Sequence, residues 1–389
     1  MGRQSPALTE TEGKGTCQLE SILFWNKPPT RESIRSADPL GFDALREAMA
    51  DALVPLLTGA TRDADEYLWT LIGLRWSRKS TGSSVDATIF NKGFAPFERA
   101  LKQYWYKFEG KPSGGITVVK TLCEGGKPEL KRPILVDQRA TGLLGNYIVS
   151  LRGMGLVQAN SLLVVEDVAD RLLTDINFSP HRSWASSWSD LKRAFCNIDF
   201  QAARGRLGNR LFGGSHDEMT RAARAILAYP KAQAWRQVPR RYLGKEQARL
   251  VEAAKPLVSL ETIALSAFGE IIRGEKILSA SIRRDLRSLA STLRDIDPFP
   301  SHWSPENPLR SAISDALSSL AQGREPTNVL VRLHVTVRRD VRKTEPWIRH
   351  LGHKPLGFQQ WQPSQSEPDF RFKNLHRLRR QTRWRGHAS

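Results

Sequence analysis

His334 lies in a run, Val329 to Arg338, whose alternate positions differ in character. Val329, Val331, Leu333, Val335 and Val337 alternate with Leu330, Arg332, His334, Thr336 and Arg338. Period two predicts a strand, which would put Arg332, His334 and Arg338 on one face. An imidazole base between guanidinium clamps suits phosphodiester chemistry. The same letters also fit a helix carrying His334, Arg338 and Arg342, but the alternation favours the strand. Asp340 is the nearest carboxylate, and the paired carboxylates of a metal-dependent nuclease are missing. A nuclease using His334 and its arginines is therefore the alternative reading rather than the leading one.

Other chemistry has less support. No Gly-x-Ser-x-Gly, His-Glu-x-x-His or phosphate-loop lysine motif occurs. Gly153-Met154-Gly155 lacks the third glycine of a dinucleotide site and follows a helical stretch. His350 and His353 are three apart with no carboxylate close by. No cofactor or metal is expected, and binding is favoured over catalysis.

Charge points to what is bound. The 389 residues hold 59 Lys and Arg against 40 Asp and Glu, a net charge of +19. Residues 330–389 alone carry 14 basic and 4 acidic side chains. Over half of the excess therefore sits in the last 60 residues. There Phe370, Phe372 and Trp384 are interspersed with Arg371, Lys373, Arg377, Arg379, Arg380, Arg383 and Arg385. Arginine binds phosphates and aromatic rings stack on bases, so nucleic acid, DNA first, is the expected partner. Docking on an acidic protein is a further alternative. A second basic stretch, Arg204, Arg206 and Arg210 with Gly205 and Gly208 between, fits a solvated loop or a phosphate site.

Mostly helical elements must position these residues. Phe42, Leu45, Met49, Leu53 and Leu56 recur at helical spacing. A second helix begins near Asp63, and a third follows Pro96 with Phe97, Leu101, Tyr104, Trp105 and Phe108 on one side. Residues 116–136 read as a short hairpin around Glu124-Gly125-Gly126-Lys127. Asp137 to Arg152 reads as a helix weakened by Gly142 and Gly145, and Gly153-Met154-Gly155 stops it. Leu156-Val157 and Leu162 to Val165 then flank a polar turn, and Glu166-Asp167 opens another helix.

Helix, glycine stop, paired apolar segments and helix resemble the recognition helix and wing of a winged helix-turn-helix, over about 40 residues. In such proteins the helix enters the major groove. The resemblance implies Asn146 pointing outward with Arg139 and Arg152 on the flanks. The expected nucleic-acid-binding residues are thus Arg139, Asn146, Arg152, Arg332, Arg338, Arg342, Arg377, Arg379, Arg380 and Arg383.

Helices are also expected at His216–Tyr229, capped by Ser215 and Glu218, at about 246–272 with Pro256 inside, at about 279–296, and from Pro308 to Leu320. The expected fold class is mainly α, with an embedded winged-helix-like module and short β-hairpins. The expected regions are a helical 1–112, a hairpin and winged-helix-like 113–178, a helical 179–323 and a basic 324–389. Cys17, Cys123 and Cys196 form no Cys-x-x-Cys pair, and no secretory or membrane-spanning run occurs. A cytoplasmic protein without membrane partners is expected.

Pro39-Leu40-Gly41-Phe42-Asp43-Ala44-Leu45, the Pro55 helix end, Arg62 and the aromatics at Tyr67 to Trp69 resemble the amino-terminal region of uncharacterised proteins of bacterial phage-defence islands. No catalytic residue comes with this resemblance. It implies a subunit working beside a helicase or nuclease.

Overall fold

The structure, a computed structural model, describes residues 38–58, 60–61, 63–111, 114–180, 183–213, 217–274, 277–344, 346 and 371–385. It is mainly helical. Helix α1 (Phe42–Leu53) buries Phe42, Leu45, Met49 and Leu53, the periodic residues of the sequence. Helix α2 (Ala64–Thr81) starts at Asp63, whose carboxylate accepts a hydrogen bond from Asp65 N, and stops at the left-handed Gly82. A continuous helical path then runs from α3 (Asp86–Thr88) through a wide turn at 89–94 into α4 (Ala95–Tyr104) and a second wide turn at 105–109. Pro96 has no N–H to give, and the first wide turn takes up the interruption just before it.

Next come α5 (Ile116–Cys123), α6 (Gln138–Thr141), α7 (Leu143–Gly153), α8 (Glu166–Leu172), α9 (Trp188–Phe195), α10 (Gln201–Phe212) and α11 (Asp217–Ala228). The carboxy-terminal half holds α12 (Lys245–Ile272), α13 (Ala280–Ile296), α14 (Pro308–Ala321), α15 (Pro326–Thr336) and α16 (Phe372–Gln381). Ser279 caps α13 and Asn307 caps α14, the latter with Pro308 in the first turn. Pro256 lies inside α12 without ending it. Helices α12, α13, α14 and α15 pack in succession, and α15 returns to α12 and closes the layer.

Several expected β elements are absent. No strand occurs among the described residues, and the one isolated bridge pairs Val157 with Val164. The hairpin expected at 116–136 is instead helix α5 and a loop. Val119, Leu122 and Cys123 face inward at helical spacing, and Ile116 is left exposed. The strand expected at 329–337 is helix α15. Val329, Leu330, Val331, Leu333, His334 and Val337 are all buried, so alternation did not mark a single wet face. Residues 201–211 form a helix rather than a loop. The helix expected from Asp137 to Arg152 breaks at Gly142, whose backbone is extended. Ser215, His350, His353, Trp361 and Phe370 lie outside the described residues.

One hydrophobic core runs from Leu40 to Trp384 and draws on all four regions expected from the sequence. Its aromatic centre packs Trp69 edge-on to Phe178, Phe195 and Phe200, at 6.0, 5.2 and 5.0 Å between centroids. Phe97 reaches this cluster because Gly73 on α2 has no side chain. A Cβ there would lie 2.5 Å from Phe97 Cε1. No described helix is long and apolar enough to cross a membrane.

Candidate functional site

The basic carboxy-terminal stretch does not hang free. Helix α16 buries Phe372, Leu375 and Leu378 and packs against α10 and α11. Its arginines meet the acidic amino-terminal helices. Arg371, 6% exposed, pairs with Glu47 at 2.9 Å and with Asp51. Arg377 reaches Asp63 at 3.5 Å, Asn374 donates to Thr58 O at 3.1 Å, and Gln381 accepts from Ala64 N at 2.9 Å. The chain then turns at Thr382 and Arg383, and Trp384 inserts beside Phe212 of α10 at 5.4 Å.

This docking sets residues 381–385 beside the arginine-rich α10, far earlier in the chain. Two clefts flank α10, and the docked stretch walls the first of them. One, of about 430 Å³, is lined by Gln201, Arg204, Asn209, Gln381, Arg383 and Arg385 among others. The second, of about 340 Å³, is lined by Leu156, Arg171, Arg206, Asn209 and Arg210, with Val168, Leu172 and Gly213. Asn209 borders both. Arg204 donates to both Asp65 oxygens, at 2.6 and 2.7 Å, so its charge is largely answered. Asp65 and then Asp63 and Asp199 also hold its guanidinium above the usual range against desolvation. Arg206 donates to Asp175 at 2.8 Å and to Leu172 O at 2.9 Å. Arg210 donates through Nε to Met154 O at 2.8 Å, tying α10 to the glycine stop after α7. Arg171, Arg210, Arg383 and Arg385 are exposed, and none has an ion-pair partner among the described residues. Such an arrangement of concave walls and guanidiniums outside ion pairs can hold phosphate groups.

The residues expected from the sequence to bind are dispersed over the molecule. Arg383 borders the first cleft. Arg377 and Arg380 are exposed beside it in sequence, and Arg379 is half-buried, with burial and then Arg380 lowering its pKa. Arg139 is exposed, with its guanidinium 5.7 Å from the Phe90 ring. Arg152 is half-buried and donates to Ser161 O at 3.0 Å; its pKa is lowered by burial first and by Arg139 last. Asn146 is half-buried, and its carbonyl accepts from the Thr58 hydroxyl at 3.5 Å. Helix α7 is held from below by Glu98, a buried carboxylate that accepts from Leu143 N (2.8 Å), Lys102 Nζ (2.9 Å) and Gln138 Nε2 (3.0 Å). Sequence reasoning missed Arg171, named Arg385 only within the basic tail, and left Arg204, Arg206 and Arg210 open between a solvated loop and a phosphate site.

Arg332, His334 and Arg338 do not share a wet face. Arg332 is exposed, while His334 and Arg338 point into the protein. His334 is fully buried, donates from Nδ1 to Pro39 O at 2.9 Å and lies 4.7 Å from the Phe268 ring. A carbonyl only accepts, so Nδ1 carries the hydrogen. Burial pushes this imidazole down to about 4, with Arg338 and Arg342 adding to the fall. Arg342 pairs with buried Asp38 at 3.3 Å, and Glu261 pairs with Arg46 at 3.3 Å. Burial outweighs these partners, raising Asp38 and pushing Glu261 up to about 7. This is a buried charge network joining α1, α12 and α15, with no path for a polynucleotide to reach the imidazole. No cluster of three metal-ligating side chains occurs among the described residues. No protein-family model, no curated protein and no solved structure matches the chain.

Proposed function

We propose that this chain binds nucleic acid through the basic tract formed by α10 and residues 381–385. The observation that carries this reading is the meeting of two arginine-rich stretches, remote in sequence, along one cleft, with a second arginine-lined cleft on the other flank of α10. Arg210, Arg383 and Arg385, without ion-pair partners among the described residues, lie where a phosphate backbone can reach them, in a chain of net charge +19. The order of α7, the glycine stop and the Val157–Val164 bridge supports a winged-helix-like accessory surface with Arg139, Asn146 and Arg152 at its edge. In this reading the protein is a binding subunit of a defence or DNA-processing assembly, beside a helicase or nuclease.

A titration of the full chain with DNA and RNA oligonucleotides at low salt tests the reading. Charge reversal at exposed Arg383 and Arg385 should weaken binding strongly while leaving the thermal midpoint in place. Unchanged affinity in that double variant would remove the tract from the account.

A further inference from the structure

The two clefts differ in what they offer but share a border. At 100° per residue, Gln201, Arg204 and Gly205 lie on one flank of α10, and Arg206, Arg210 and Gly213 on the other. Between the flanks runs a low ridge. Ala202 and Asn209 are exposed on it, and a Cβ placed on Gly205 meets no atom within 4 Å. Large side chains would wall one cleft from the other at these positions. The residues present leave the crossing open, and Asn209 can donate to or accept from a ligand on either side.

We infer that the two clefts form one path for a single strand of nucleic acid, which crosses α10 over Ala202, Gly205 and Asn209. This rests on the nucleic-acid reading above and names the form of the ligand. Arg383 and Arg385 take phosphates at one end, and Arg171 and Arg210 take them at the other. Shape decides between one strand and two. A duplex is read by an element that projects into a groove, such as a helix entering the major groove. Helix α10 does not project. Residues 381–385 stand along one side, and Leu156 with α8 along the other. A strand enters such a site, whereas a duplex would rest on its rims. An α-helix with its side chains is about 10–12 Å across. A short stretch of backbone therefore spans the crossing. Neither cleft offers an open aromatic face, since Trp384 is only 4% exposed. Contacts therefore go to the backbone, and binding tolerates any base sequence.

Fluorescence anisotropy on the full chain tests this with a single-stranded DNA of about twelve nucleotides and its duplex at one low salt concentration. The expected result is binding of the single strand about tenfold tighter than the duplex. Arg385→Ala and Arg171→Ala, one in each cleft, should each weaken the single strand about five- to tenfold, and the double variant more than either. Arg284→Ala, an exposed arginine of α13, should change affinity less than twofold. Equal or tighter duplex binding would overturn the inference and leave the nucleic-acid reading standing. So would a loss confined to one cleft, or an equal loss in Arg284→Ala. Binding of neither probe would bring down both.

Discussion

Trp384 packs against Phe212 of α10 with ring centroids 5.4 Å apart, and this pair fixes where the basic carboxy-terminal stretch lies. Gly208 gives Thr382 room one turn earlier, since a Cβ there would come within 2.6 Å of Thr382 Cβ. The expected outcome of Trp384→Ala is a loss of about 3 kcal/mol in stability, in the range for a buried aromatic. Nucleic-acid affinity should fall with it, because Arg383 and Arg385 lose their anchor. Urea midpoints and a parallel binding titration check both. An intact affinity would separate the tract from its anchor.

The close approach of α2 and α4 depends on Gly73. Gly73→Ala should cost about 1–3 kcal/mol, since Phe97 must leave its place among Phe94, Phe178 and Phe195. Thermal unfolding measures this. Gly82→Ala should cost about 1 kcal/mol, for a different reason. A Cβ there meets nothing, and the cost is the left-handed backbone alone.

The fold was legible where local chemistry decided it. Asp63, Ser279 and Asn307 cap helices as their types predict, and Phe42 to Leu53 keep their spacing in a buried face. It was not legible where tertiary burial overrode local preference. The valines of α15 read as a strand because burial on several sides hides the helical period. Ile116 to Val119 read as a strand from β-branched residues, yet only every third or fourth position faces the core. The glycines of α10 read as a loop, although Gly208 is there for Thr382. Of the site, the arginines of each half were visible by type. Their meeting was not, because no local signal links residues 201–210 to 381–385.

Acid should act on the buried network around Asp38 with opposed signs. His334 has its pKa pushed down to about 4, so its contribution is full above about 6.5 and is lost as pH falls towards 4. Glu261 is pushed up to about 7. The folded state binds its proton more readily than the unfolded chain, so stability rises as pH falls from 7 to the ordinary glutamate range. Asp38 shifts in the same direction as Glu261, and Arg46 and Arg338 keep their charge throughout. The two trends offset each other in the wild type between pH 5 and 6.5. Glu261→Gln removes one of them, and its stability should fall more steeply on acidification than that of the wild type. Urea denaturation across this range reads the slopes; parallel curves would refute the coupling.

His334 is enclosed, so the isolated protein should not cut single- or double-stranded DNA or RNA with magnesium or manganese. His334→Ala should cost about 2–4 kcal/mol through the cavity and the lost bond to Pro39 O. Cleavage by the wild type that vanishes in a folded His334→Gln variant would restore the nuclease reading.

In the proposed reading the α10 tract binds nucleic acid through its phosphates. The most direct measurement is the affinity of the full chain for a single-stranded oligonucleotide as salt rises from about 50 to 200 mM. Four exposed arginines without ion-pair partners, Arg171, Arg210, Arg383 and Arg385, predict a log–log slope near −3, at about −0.7 per phosphate contact. Charge removal at Arg171 and Arg385 should flatten it by about 1.4. Absence of binding at the lowest salt, or a slope near zero, would contradict the account.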